Sequence, residues 1–259
     1  MRWLLRLLGA GFGLMLAGIV VGGAALWFGW NHYAADLPEH ARLADYEPPI
    51  ATRIYAADGR FLAEYARQQR VFVPIEAIPD TVQNAFIAAE DQHFRRHIGV
   101  DPQGIVGAAV ANVERWRENR RPRGASTITQ QVAKNFLLTN ELSFERKIKE
   151  AILAIRLEQA FTKDHILELY LNEIYLGART YGVAAAALGY FDKSLDELTL
   201  AEAAFLAGLP QAPSLYDPED NPDGAIARRR YVLERMLDDG YIDRAAFEAA
   251  DAAPIVLED

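Results

Sequence analysis

Residues 79–99, PDTVQNAFIAAEDQHFRRHIG, decide how this chain reads. From Pro79 onward the pattern turns helical, with apolar residues every three or four positions, and the spacing predicts a helix over Thr81–Arg96. On such a helix Glu90, Phe94 and His97 fall at i, i+4 and i+7 and share one face. Glu90 follows the apolar run AFIAA and so stands at the edge of a buried stripe. There a carboxylate's charged form is disfavoured, which suits a general acid or base. A surface carboxylate at a helix end is the plainer reading of the same residue. His93 and His97 with carboxylates alongside give a metal reading, which lacks both the HExxH order and a third well-spaced ligand.

Downstream the same periodicity predicts helices over Ser143–Phe161, Lys163–Leu176 and Leu200–Leu209, punctuated by Gly124, Gly177 and the Pro210/Pro213 pair. The stripe Ile166, Leu169, Tyr170 and Ile174 belongs in a core. Upstream, TRIYAADGRFLAEY places two strand-like runs around Asp58-Gly59, a pair suited to a tight hairpin turn, and Val71–Val73 offers a further strand. Before that, residues 31–50 carry Pro38, Pro48 and Pro49 and read as a linker.

The N-terminus differs from all of this. Leu7–Trp30 is 24 residues without a charge, long enough as a helix to cross the roughly 30 Å hydrocarbon core of a bilayer. Arg2 and Arg6 precede it and no Lys or Arg follows until Arg42, which places the N-terminus in the cytoplasm and the remainder outside. Trp27, Phe28, Trp30 and Tyr33 form an aromatic belt at the outer interface. A cleaved signal peptide would have a shorter apolar region.

With 259 residues, 51% hydrophobic and 24% charged, the chain has globular composition and can bury a full core. It contains no cysteine, which excludes disulfide scaffolds, thiolate zinc sites and thiol nucleophiles. A net charge of -9 argues against nucleic-acid binding. The charge is uneven, however. Arg115–Lys149 holds nine basic residues against three acidic ones, whereas Ser214–Asp259 holds twelve acids against five arginines. The acidic stretch reads as a solvated face. Beside a membrane, the basic one fits an anionic partner such as a lipid-linked phosphate.

Two further constellations accompany that basic stretch. In GASTITQQVAKN, residues 124–135, Ser126 or Thr127 can cap the following helix, whose free N–H groups with Lys134 could hold a phosphate. In RKIKEA, residues 146–151, Lys147 and Glu150 share a helix face with Ala154, as an ordinary intrahelical ion pair also would.

In order and spacing, EDQHFRRHIGVD, GASTITQQVAKNF, RKIKEAILAIRLE, KDHILELYLNEIYLG and RRRYVLERM resemble the successive motifs of the peptidoglycan glycosyltransferases. These are the transglycosylase domains of class A penicillin-binding proteins and their monofunctional relatives. The likeness covers about Thr52–Tyr241, and ARTYGVAAAALGYF and AGLPQAPSLYDP look most like the 1A type. It implies a mainly α fold: a lysozyme-like helical lobe, a small membrane-associated jaw lobe, a short N-terminal β-hairpin and one transmembrane helix. The divisions expected are a cytoplasmic tail 1–6, an anchor 7–30, a linker 31–50, a glycosyltransferase domain 51–245 with its jaw at about 100–123, and a tail 246–259 that could lead into a transpeptidase region.

The implied activity joins lipid II units into glycan strands with inversion at the anomeric carbon and release of undecaprenyl diphosphate. Glu90 matches the general base and Glu150 the second carboxylate. The implied substrate-binding residues are Asp91, Phe94, His97, Ser126, Thr127, Gln130, Lys134, Asn135, Arg146 and Lys147. No prosthetic group is expected; a divalent cation, magnesium or manganese, is expected at the diphosphate, with unknown metal ligands. Expected partners are lipid II, the growing glycan, membrane lipids and other cell-wall synthesis proteins, on the outer face of a bacterial inner membrane. Glycan cleavage by a lysozyme-like or lytic enzyme, or a non-catalytic membrane-anchored scaffold, are the alternatives. The SxxK, SxN and KTG motifs of a transpeptidase are missing, so peptide crosslinking is not expected of these residues. In one departure, Leu142 occupies a position that is usually basic in the family.

Overall fold

A computed structural model describes residues 2–34, 37, 52–55, 61–65, 69–117, 124–137 and 143–257. The described part is mostly helical with little strand. Leu142, the Asp58-Gly59 turn, the 38–50 stretch and the arginines at 120, 121 and 123 lie outside the described residues.

The chain begins with helix α1, Arg2–Ala34. Among the described residues, no helix is long and apolar enough to cross a membrane. Strands β1, Thr52–Tyr55, and β2, Phe61–Tyr65, pair antiparallel with Thr52 opposite Tyr65, and the register shifts between Ile54 and Tyr55. That is the expected hairpin. The strand expected at Val71–Val73 is displaced: β3 is Gln69–Arg70, and it pairs in parallel with β4, Thr180–Tyr181. Val73 is instead bound by a side chain that imitates a strand. Asn172 Oδ1 accepts from the Val73 N–H at 2.8 Å, and Asn172 Nδ2 donates to the Val73 carbonyl at 2.8 Å.

The helices follow as α2 Asp80–Glu90, α3 Pro102–Arg117, α4 Ile128–Leu137, α5 Phe144–Ala160 and α6 Lys163–Glu173. Then come α7 Val183–Phe191, α8 Leu200–Gly208, α9 Pro222–Asp238 and α10 Arg244–Ala252. Their starts are written in the sequence. Ser143, Thr162, Thr199, Asn221 and Asp243 each accept a backbone N–H one turn on, satisfying a donor that the helix cannot.

Helix α8 packs against α2, α9 and α7, while α4 packs against α5 and α6. One continuous core joins the two groups, with Phe86 of α2 edge-on to Tyr170 of α6. Ile166, Leu169, Tyr170 and Ile174 are all buried there, as their stripe indicated. At the other end, α1 touches α5, and Arg156 donates to the Ala34 carbonyl at 3.2 Å.

A second expectation is corrected. The helix foreseen over Thr81–Arg96 stops at Glu90, because Asp91 takes φ -156° and leaves the helix. Glu90, Phe94 and His97 therefore do not lie along one helical face.

Candidate active site

Glu90 is the last residue of α2, and its side chain is 14% exposed. The apolar stripe of α2, with Ala85, Phe86, Ile87 and Ala88 buried, carries it into the interior, where the helix stops. Burial pushes its carboxyl above the ordinary range; the Gln131 hydrogen bond and the Arg228 charge pull it down again, and Asp91 adds to the rise. Gln131 Nε2 donates to Glu90 Oε2 at 2.8 Å, and Arg228 Nη2 stands 3.8 Å from Oε1. The Tyr170 hydroxyl, with no hydrogen-bond partner among the described residues, is held well above its usual range by burial and then by Glu90 and Asp91, so it stays neutral.

Beyond Glu90 the chain folds into a tight loop held by Asp91. Its Oδ2 accepts the Ile128 N–H at the start of α4, 2.9 Å away, and meets His97 Nε2 at 2.8 Å. The Gly99 N–H donates to His97 Nδ1 at 3.0 Å, so the ring hydrogen must sit on Nε2, facing Asp91. Gly99 has φ +98°, and a Cβ there would lie 2.5 Å from the Ala154 carbonyl oxygen of α5. Only glycine permits this approach.

The start of α4 is closed by a reciprocal cap. Gln130 N–H donates to Thr127 Oγ1 at 3.1 Å, and Thr127 N–H donates to Gln130 Oε1 at 3.0 Å. Thr127 Oγ1 also donates to the Gly99 carbonyl at 2.7 Å. Thr129 and Lys163 both donate to Glu158 Oε1, each at 2.6 Å, and Lys163 Nζ lies 4.6 Å from the Phe94 ring centre. A buried polar network thus ties α4, α5 and α6 to the loop behind Glu90.

Glu90 and Asp91 open onto a cavity of about 270 Å³, walled by Gly104, Gly107, Ala125 and Ser126 and reached by Arg235. Asp101 also lines it. Burial works to raise the Asp101 carboxyl, but the Gly104 N–H and His93 outweigh it and hold it below the usual range. On the far side of Ser126 lies α5. Lys147 Nζ donates to Ser126 Oγ at 2.7 Å and to Glu150 Oε2 at 2.6 Å. Arg146 Nε is 3.0 Å from Glu150 Oε1, so this fully buried carboxylate sits between two cations.

The residues singled out in sequence fall into three groups. Glu90, Asp91, Ser126 and Thr127 line the cavity. Glu150, Arg146 and Lys147 form the adjoining charged cluster, while Lys134 and Asn135 are exposed on α4, three and four residues beyond Gln131 and so on its face. Phe94, His97 and Gln130 are buried and serve to brace the loop and the start of α4. Gln131, Arg228 and Arg235 were not singled out, although Gln131 stands in the QQ pair and both arginines in RRRYVLERM. Among the described residues no group of three or more His, Asp or Glu could hold a metal ion.

A protein family described as Transglycosylase matches residues 58–237, and the chain belongs to that family. Penicillin-binding protein 1A of Rickettsia conorii is 57% identical over 226 residues, 87% of this chain and 29% of that protein. Penicillin-binding protein 1A of Escherichia coli K12 is 49% identical over 230 residues, 89% of this chain and 27% of that protein. Among solved structures, penicillin-binding protein 1A of Haemophilus influenzae is 32% identical over 82% of this chain and 22% of that one, with a TM-score of 0.48. The chain thus spans less than a third of the length of these relatives.

Proposed function

We propose that this chain polymerises lipid II into glycan strands by inverting glycosyl transfer. The observation that carries the reading is Glu90: a mostly buried carboxylate, raised by burial and opening onto a cavity, in a transglycosylase. As base it takes the proton of the acceptor sugar's 4-hydroxyl while that oxygen bonds to the donor's anomeric carbon. The bond from that carbon to undecaprenyl diphosphate breaks, and the diphosphate leaves with its electron pair. Negative charge concentrates there, and Lys134, Arg146 and Lys147 are the cations proposed to meet it. Glu150 is proposed to hold Arg146 and Lys147 in place on the donor side. Magnesium or manganese would supply further charge at the diphosphate, and no step here depends on it.

Supplying labelled lipid II together with preformed glycan to the protein in detergent tests the reading. Glycan is expected to accumulate and undecaprenyl diphosphate to be released. Loss of the preformed glycan would identify a cleaving enzyme instead.

The same reading proposes a single-pass anchor and a membrane-facing jaw. Support for the anchor comes from the uncharged Leu7–Trp30 run, which lies wholly within α1. Support for the jaw comes from α3, where Val106, Val110, Val113 and Trp116 are 53–82% exposed on a helix that ends in Arg115 and Arg117. Water is a poor surrounding for such a face. Deleting residues 1–34 is therefore expected to leave a folded protein that still floats with anionic liposomes. No flotation of the truncated form would refute the jaw.

A further inference from the structure

Glu90 faces a requirement that its burial opposes. A general base must be ionised to accept a proton, and desolvation favours the neutral acid. Among the described residues, the groups facing it are Asp91 next in the chain, Gln131 from α4, Tyr170 from α6 and Arg228 from α9, with His93, Asp101 and Arg235 around the cavity. Gln131 is uncharged, Tyr170 is neutral, and Asp91 opposes ionisation. Among the described residues, Arg228 is the cation within 4 Å of the Glu90 carboxylate.

Its place does not depend on Glu90. Arg228 Nε donates to the Gly208 carbonyl at 3.0 Å, and the guanidinium lies 4.7 Å from the Tyr231 ring centre and 5.7 Å from that of Tyr216. A Cβ on residue 208 would come within 2.9 Å of Arg228 Cγ, so Gly208 makes room for the stem. The guanidinium is therefore set by α8 and two rings, at 3.8 Å from Oε1 and with its side chain 11% exposed. At that distance it supplies charge without a close hydrogen bond. Gln131 occupies Oε2, which leaves Oε1 to receive a proton.

We infer that Arg228 is a positioning residue for the base, a pre-set cation that keeps the Glu90 carboxylate ionised at neutral pH and leaves Oε1 as the accepting oxygen. The inference rests on the proposed function above. Removing the cation disfavours the charged carboxylate, so activity that requires ionised Glu90 is lost at higher pH than in the parent.

The test is the rate of lipid II polymerisation by the full chain in detergent across pH 5.5–9, for the parent, Arg228→Gln and Arg228→Lys. In Arg228→Gln the ratio of the rate at pH 8 to that at pH 6 is expected to rise about tenfold, as removal of an opposite charge within ~4–6 Å implies. KM for lipid II should change less than about twofold, because uniform substrate binding is untouched. Arg228→Lys, which keeps the charge, should stay near the parental profile. Should Arg228→Gln fail to fold, Tyr231→Leu loosens the guanidinium from one ring and is expected to move the ratio the same way by about threefold. A rate that falls equally at every pH, or a parental profile in the folded variant, overturns the inference. Polymerisation that is absent from the parent, or that survives in Glu90→Gln, overturns the underlying reading instead.

Discussion

Glu90→Gln is expected to lower glycan polymerisation by about 10²–10⁴-fold, the usual worth of a positioned base. The amide keeps the size and shape of the carboxylate, and its oxygen can still accept from Gln131 Nε2. What it cannot do is take the proton of an attacking hydroxyl. A second readout separates this loss from misfolding. Glu90 has its folded pKa raised above that of an unfolded chain, so the folded state holds its proton more tightly and stability declines as pH rises through that range. Replacing it with a neutral amide removes that cost. The variant should therefore melt at the parental temperature or above it, while its activity collapses. Turnover within about threefold of the parent, in protein with unchanged circular dichroism, would sink the assignment.

Gly99→Ala is expected to cost about 3 kcal/mol or more of folding stability, read as a shifted denaturant midpoint at constant slope. Two effects combine. At φ +98° a side chain is strained wherever it points, and here its Cβ would meet the Ala154 carbonyl at 2.5 Å, which is helical backbone with little freedom to yield. Moving the loop instead would disturb the Gly99 N–H bond to His97 and the Thr127 bond to the Gly99 carbonyl. Both support the start of α4, where Gln131 reaches Glu90. Activity should therefore fall with stability. A loss below about 1 kcal/mol would mean the loop can relax away from α5.

The helices expected over Ser143–Phe161, Lys163–Leu176 and Leu200–Leu209 all form, because an apolar period is a local signal, whereas α3, α7, α9 and α10 were not read from it. The structure starts α5 and α6 within a residue of the expected positions, each closed by a side-chain cap, Ser143 and Thr162. The end of α2 was not legible. Residues 91–97 continue a plausible helical spacing, but Asp91 leaves the helix, and its side chain takes a bond from Ile128, far along the chain. For Glu90 the signal was the apolar run before it. For Arg228 no such signal exists in RRRYVLERM. Successive residues on a helix point about 100° apart, so three adjacent arginines take three different fates. Arg228 turns to Glu90, Arg229 is buried with Nη2 on the Asp251 carbonyl, and Arg230 pairs with Glu234 in the open. Which of them serves the site depends on where α8 and α10 sit. Spacing within α9 cannot say.

The alanines of α8 govern how far harm can travel. Ala201, Ala203, Ala204 and Ala207 are buried on a nine-residue helix, with the equally alanine-rich α7 alongside and α2 and α9 against it. Side chains this small let helix backbones approach closely and leave little slack for a larger group. Enlarging any of them would displace whatever is nearest, and two of the neighbours carry Glu90 and Arg228. A misplacement of about 1 Å at reacting groups can cost about 100-fold in rate. Genetic lesions that silence the site should therefore reach well beyond the residues that line it, gathering at alanine codons whose side chains meet no substrate.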